Sequence, residues 1–124
     1  MQRILVMDDD RPVQTTLQKM LEREGYAVVL AADGRQGLKA YQEKRFDLVI
    51  TDLLMPEKDG IQTIKELRRL DDAVKILAIS GGGRVDKKTH LKVAELFGAR
   101  KVLAKPVERE ALLAAIRELL QAHA

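Results

Sequence analysis

The chain alternates between two hydrophobic periodicities, and this constrains its fold more than any other feature. Short apolar runs occur at Ile4–Met7, Ala27–Leu30, Leu48–Ile50, Ile76–Ile79 and Val102–Ala104. Nearly continuous runs of that length mark strands buried on both faces. Between and after them, apolar residues recur at helical spacing. Val13, Leu17, Met20 and Leu21 mark a first helix, and Leu38 and Tyr41 a weaker second. Ile61, Ile64, Leu67 and Leu70 mark a third, Val93, Leu96 and Phe97 a fourth, and Leu112, Leu113, Ile116, Leu119 and Leu120 a last. The punctuation agrees. Asp10 is placed to cap the first helix, with Pro12 in its opening turn, where a missing N–H costs little. Gly25 and Gly98 follow helical stretches, where a left-handed residue is wanted. Asp33-Gly34 and Asp59-Gly60 are turn or helix-entry signals. Parallel strands require a crossover, and a helix supplies it naturally. Strict strand–helix alternation therefore predicts one α/β domain over residues 1–124, its parallel sheet covered on both faces.

In such open sheets ligands bind beyond the carboxyl ends of the strands. The first strand delivers Asp8, Asp9 and Asp10 there, and the third delivers Thr51 and Asp52, followed by Leu53-Leu54-Met55-Pro56. The fourth delivers Ser80 and then Gly81-Gly82-Gly83, and the fifth Lys105-Pro106. Carboxylates packed so closely repel one another and raise each other's pKa. A hard divalent cation relieves this, and an all-oxygen donor set favours Mg²⁺, with Mn²⁺ as an alternative. One carboxylate then stays free to attack phosphorus, while Lys105 and Ser80 meet the developing charge. Asp10 reads better as a helix cap, the glycines as room for access, and Met7, Met20 and Met55 as core filler.

Together Asp8-Asp9, Asp52, Ser80 and Lys105-Pro106, with Met55-Pro56 and Asp59-Gly60 after the central aspartate, resemble the response-regulator receiver domain from Ile4 to the last helix. The resemblance implies a flavodoxin-like (βα)5 fold with strand order 2-1-3-4-5. It makes Asp52 the phosphoacceptor, Asp9 the direct Mg²⁺ ligand, and Asp8 an acid acting mostly through metal-bound water. The backbone carbonyl of Leu54 would add a metal contact. Lys105 would pair with the phosphate, the Lys105–Pro106 bond would be cis, and Ser80 would be the switch hydroxyl. It further implies a histidine kinase or histidine phosphotransfer domain upstream. The output would be a protein target, or self-association, through the face of the fourth helix, fifth strand and fifth helix. That face carries Arg84, Lys87, Lys88, Lys92, Arg100 and Lys101, which suits an acidic partner. Two positions depart from the family: Val102 stands where many receivers have an inward-rotating Tyr or Phe, and Val107 replaces a common Phe.

Other classes fit less well. With no cysteine, disulfides, thiolate metal sites and cysteine nucleophiles are excluded. His90 and His123 stand far apart, without the converging ligands of a histidine metal site. The net charge of +3 is spread over polar faces with only 3% aromatic residues, so direct nucleic-acid binding is not expected. No apolar run reaches the roughly 20 residues of a membrane span, so the expectation is a cytoplasmic domain. An aspartate-nucleophile phosphatase resembling the haloacid dehalogenase family would carry a second Asp two residues after Asp52, where Leu54 stands. The domain is thus expected to be a phosphoacceptor rather than a turnover enzyme. A constitutive interaction module is kept open by Val102, whereas a flavin carrier lacks its aromatic sandwich. Met1 and the short tail Gln121–Ala124 suggest a domain that stands alone, although one cut from a longer regulator stays open.

Overall fold

The computed structural model describes residues 2–52, 60–80 and 98–121. Its elements follow the predicted alternation: β1 (Arg3–Met7), α1 (Arg11–Arg23), β2 (Ala27–Ala31), α2 (Gly34–Glu43), β3 (Leu48–Asp52), α3 (Gly60–Leu70), β4 (Ile76–Ser80), β5 (Lys101–Ala104) and the C-terminal helix, here α4 (Arg109–Gln121). The expected helix around Val93, Leu96 and Phe97 lies outside the described residues, as do His90 and His123. All strand pairings are parallel, in the order β2-β1-β3-β4-β5. No described helix is long and apolar enough to cross a membrane.

Two cores share the sheet because alternate strand residues point to opposite faces. Ile4, Val6, Leu48, Ile50, Leu77 and Ile79 pack with Leu17 and Leu21 of α1 and with Leu112 and Ile116 of α4. Leu5, Met7, Val49, Ile76 and Ala78 pack on the other face with Tyr41 of α2 and with Ile64 and Leu67 of α3. The three inner strands are buried as expected. The outer two are not: β2 and β5 have a neighbour on one side only and are largely half-buried, with Val29 exposed. Leu70, the last residue of α3, is also exposed. Val13 and Met20 sit half-buried at the margin of α1, while Gln14 takes a buried place on its inner stripe.

The caps form as read. Asp10 accepts from the Val13 N–H at 3.3 Å and Asp33 from the Gln36 N–H at 2.9 Å. Gly25, at φ +92°, ends α1. The weak apolar stripe of α2 has a physical cause: Gly34 and Gly37, with Tyr41, form its buried face, and small residues let the helix approach β1 closely. A Cβ at Gly37 would stand 1.9 Å from the sulfur of fully buried Met7. Gly37→Ala is therefore expected to cost about 1–3 kcal/mol through overpacking, outweighing the gain of up to ~1 kcal/mol from better helix propensity. Urea unfolding measures the balance, and a stabilised variant would refute the close approach.

At the N-terminal ends of the strands, the Tyr41 hydroxyl donates to Asp71 Oδ2 at 2.6 Å. That bond holds the Asp71 carboxyl below its ordinary value. Burial, then the bond and the charge of Asp71, push the Tyr41 phenol above its own. The sign follows for each group. The contribution of Asp71 is present above its unfolded value of 3.8 and is lost as pH falls through the lower folded value. That of Tyr41 is present below 10.0 and is lost as pH rises through its higher folded value. Tyr41→Phe should cost about 1–3 kcal/mol at neutral pH and flatten the acid limb of stability. Denaturation at neutral and acid pH checks both.

Candidate phosphoryl-acceptor and cation site

The sheet register gathers the chemistry. Met7 pairs with Thr51, Asp52 with Ile79, and Ser80 with Ala104, so β1, β3, β4 and β5 finish side by side. Each strand ends by releasing its polar residue at the same edge: Asp8, Asp52, Ser80 and Lys105. Asp8 and Asp52 are buried and Asp9 is exposed, and carboxylate oxygens of the three lie within 4.8 Å of one another. Lys105 reaches in from beyond β5, its ammonium 2.7 Å from Asp52 Oδ2 and 3.7 Å from Asp8 Oδ2. The Lys105–Pro106 bond is cis, as the resemblance implied.

Asp8 is the best-defined member. Its backbone N–H donates to the Ala31 carbonyl at 3.1 Å, and its Oδ1 accepts from the Asp10 N–H at 2.9 Å. Its Oδ2 is buried with no hydrogen-bond partner among the described residues. Burial pushes the Asp8 carboxyl above its ordinary value, and the charges of Asp52 and Asp9 add to this; the Asp10 N–H and Lys105 oppose it without cancelling it. For Lys105, burial favours the neutral amine. The hydrogen bond to Asp52 and the charges of Asp52, Asp8 and Asp10 outweigh it, so the ammonium is held above the usual lysine value.

Among the described residues one ammonium faces three carboxylates, which leaves negative charge in excess at the sheet edge. A nearly inaccessible carboxylate oxygen that makes no hydrogen bond among the described residues, beside two further carboxylates, is a donor set that fits a hard divalent cation. Asp52 combines the nucleophile's requirements: a strand-end position, 5% exposure, and a cation on one oxygen.

Of the residues predicted for the site, Asp8, Asp9, Asp52 and Lys105 come together. β4 ends at Ser80 as expected, and the Ser80 side chain is outside the described set; Leu54, Met55-Pro56 and the three glycines lie outside the described residues as well. Asp10 serves as the α1 cap. Val102 and Val107 are half-buried against opposite cores. Of the expected basic face, Arg84, Lys87, Lys88 and Lys92 lie outside the described residues, while Lys101 is paired with Glu118 at 2.6 Å. That pair weakens the case for an acidic partner at this point. Sequence reasoning passed over Gln14. A polar residue three before Leu17 and seven before Leu21, on the buried stripe, was the available signal.

The chain matches the family described as "Response regulator receiver domain" over residues 4–117. It is 41% identical over 120 residues to the response regulator MprA of Mycolicibacterium vanbaalenii, covering 96% of this chain and 50% of that protein. To the transcriptional regulatory protein CpxR of Klebsiella pneumoniae it is 37% identical over 121 residues, covering 98% and 50%. Among solved structures, the Vibrio cholerae chemotaxis protein CheY4 superposes with a TM-score of 0.86 at 30% identity, covering 96% of this chain and 98% of that one. The chain thus spans about half the length of these curated relatives, which lends no support to the expectations of a stand-alone protein and of no nucleic-acid contact. Fold, site and relatives agree, and the chain belongs to the response-regulator receiver-domain family of two-component signalling.

Proposed function

We propose that Asp52 is the phosphoacceptor of this domain, and that it takes its phosphoryl group from a histidine on a kinase or phosphotransfer protein. The observation that carries this reading is the 2.7 Å contact of Lys105 with Asp52 beside the buried carboxylates of Asp8 and Asp52. An Asp52 carboxylate oxygen attacks phosphorus, the bond from phosphorus to the donor's imidazole nitrogen breaks, and the imidazole leaves with the electron pair. Lys105 stays charged throughout, which suits it to pair first with the carboxylate and then with the acyl phosphate. Asp8 and Asp9 would hold Mg²⁺ with Asp52 and the Leu54 carbonyl, and Mn²⁺ fits the same oxygens. When bound, the cation supplies positive charge against the crowded carboxylates and the incoming phosphoryl oxygens. Ser80 would turn its hydroxyl toward the new phosphate.

Phosphorylation adds roughly 1.5 to 2 negative charges at neutral pH. The product is a switch read by other proteins, not a turnover enzyme acting on external substrates, and its setting is the cytoplasm. With Val102 in place of an aromatic, an aromatic rotation at that position is not the signal; the loop from Ser80 to Asp86 or the expected fourth helix would carry it instead. The output is a docking event on the face that includes β5 and α4. In a longer regulator, such as the transcriptional regulatory protein it resembles, a covalently joined module would receive it instead.

Incubation with acetyl phosphate and Mg²⁺, followed by intact mass, tests the proposal. One added phosphoryl mass is expected with Mg²⁺ and none with excess chelator. A mass gain indifferent to the chelator would refute the cation's part in it.

A further inference from the structure

The orientation of Asp8 depends on a residue outside the acidic cluster. Gln14 lies on the buried stripe of α1, 7% exposed, and its Nε2 donates two hydrogen bonds to backbone carbonyls. One acceptor is the carbonyl of Asp8 itself; the other is the carbonyl of Ala31, at 3.0 Å. The same Ala31 carbonyl accepts from the Asp8 N–H. The amide group thus ties the C-terminal end of β2 to the residue that follows β1, and both of its hydrogens are used. With Asp10 N–H on Oδ1, three of the four polar handles of Asp8 are fixed: N–H, C=O and Oδ1. The fourth, Oδ2, is buried without a hydrogen bond among the described residues, 3.7 Å from the Lys105 ammonium, and stands with Asp9 and Asp52.

We infer that Gln14 is a positioning residue for the divalent cation: it fixes the Asp8 backbone so that Oδ2 is aimed at the site before any cation arrives. This rests on the cation reading of the Asp8–Asp9–Asp52 cluster given above. A side chain that only filled space at this point of α1 could be Leu or Met, and would leave both carbonyls without its donors. A buried amide with both hydrogens engaged on the two strand ends does more than fill volume. Partners that orient a metal's ligands typically change its affinity 10- to 100-fold when removed.

The test is Mg²⁺ affinity, read from backbone amide shifts in a titration of the folded protein below its thermal transition. Gln14→Met keeps the length and apolar bulk and removes the donors. Its Mg²⁺ dissociation constant is expected to rise about tenfold or more. Leu21→Val, on the same helix and in the same core, is the control for lost stability and should bind Mg²⁺ as the wild type does. Equal affinity for Gln14→Met and wild type would overturn the inference while leaving the cation site standing. Equal weakening in Leu21→Val would overturn it too, by reducing the effect to stability. No Mg²⁺ binding by the wild type would overturn the cation reading itself. Should Gln14→Met fail to fold, the wild type supplies a readout of its own. There the Gln14 side-chain NH₂ protons should exchange slowly with solvent and shift on Mg²⁺ addition; fast exchange with no shift would sink the idea.

Discussion

Asp52→Asn is expected to gain no phosphoryl mass under conditions that fully label the wild type. The substitution is close to isosteric, and Asn Oδ1 can still accept from the Lys105 ammonium, so the fold and the position of Lys105 should persist. What disappears is the anionic oxygen that attacks phosphorus. A neutral amide is too weak a nucleophile for this step, and no neighbour replaces it. Asp8 is committed by its backbone and Oδ1 bonds, and Asp9 is exposed. The expected outcome is all or none, read by intact mass alongside a thermal melt that shows the variant folded. Label persisting on the Asn protein would move the acceptor elsewhere in the cluster.

Lys105→Ala should separate the chemistry from its consequence. The Mg²⁺ ligands remain, so cation binding should survive, and it should tighten because a competing positive charge has gone. The phosphorylated state, however, loses its fixed cation. A two-state switch moved from 1:99 to 99:1 uses about 5.5 kcal/mol of differential stabilisation. Hydrogen bonds to charged groups contribute about 1.5–3 kcal/mol of that order. Losing about 2 kcal/mol lowers a 99:1 population to roughly 4:1, since each 1.4 kcal/mol is tenfold. The readout is the spectral change on adding beryllofluoride with Mg²⁺, compared with Mg²⁺ titration of the same variant. A full wild-type response in Lys105→Ala would remove Lys105 from the switch.

Much of this was legible before any coordinates. A strand buried on both faces must be continuously apolar, so a polar residue at its end marks the sheet edge, and Asp8, Asp52 and Lys105 could be placed together by counting. Capping is local, so Asp10, Asp33 and Gly25 were readable too. What escaped was non-local or ambiguous. An outer strand such as Ala27–Ala31 is as apolar as an inner one, so its half-burial depends on strand order rather than composition. Gly37 reads as a poor helix residue until Met7 is set opposite it. Tyr41 and Asp71, 30 positions apart, share no local pattern. Gln14 was visible only as an anomaly on an apolar stripe, and its meaning lay in the carbonyls of two other strands' ends.

The alternation along β3 has a consequence for how such a chain can change. Leu48 and Ile50 serve one core and Val49 the other, with Asp52 completing the strand at the site. A single inserted or deleted codon inside β3 would exchange the two sets and turn the last carboxylate to the wrong side. Lineages of this domain can therefore vary in length between elements, but within this strand they are confined to point substitution, and the acceptor's address is kept by parity.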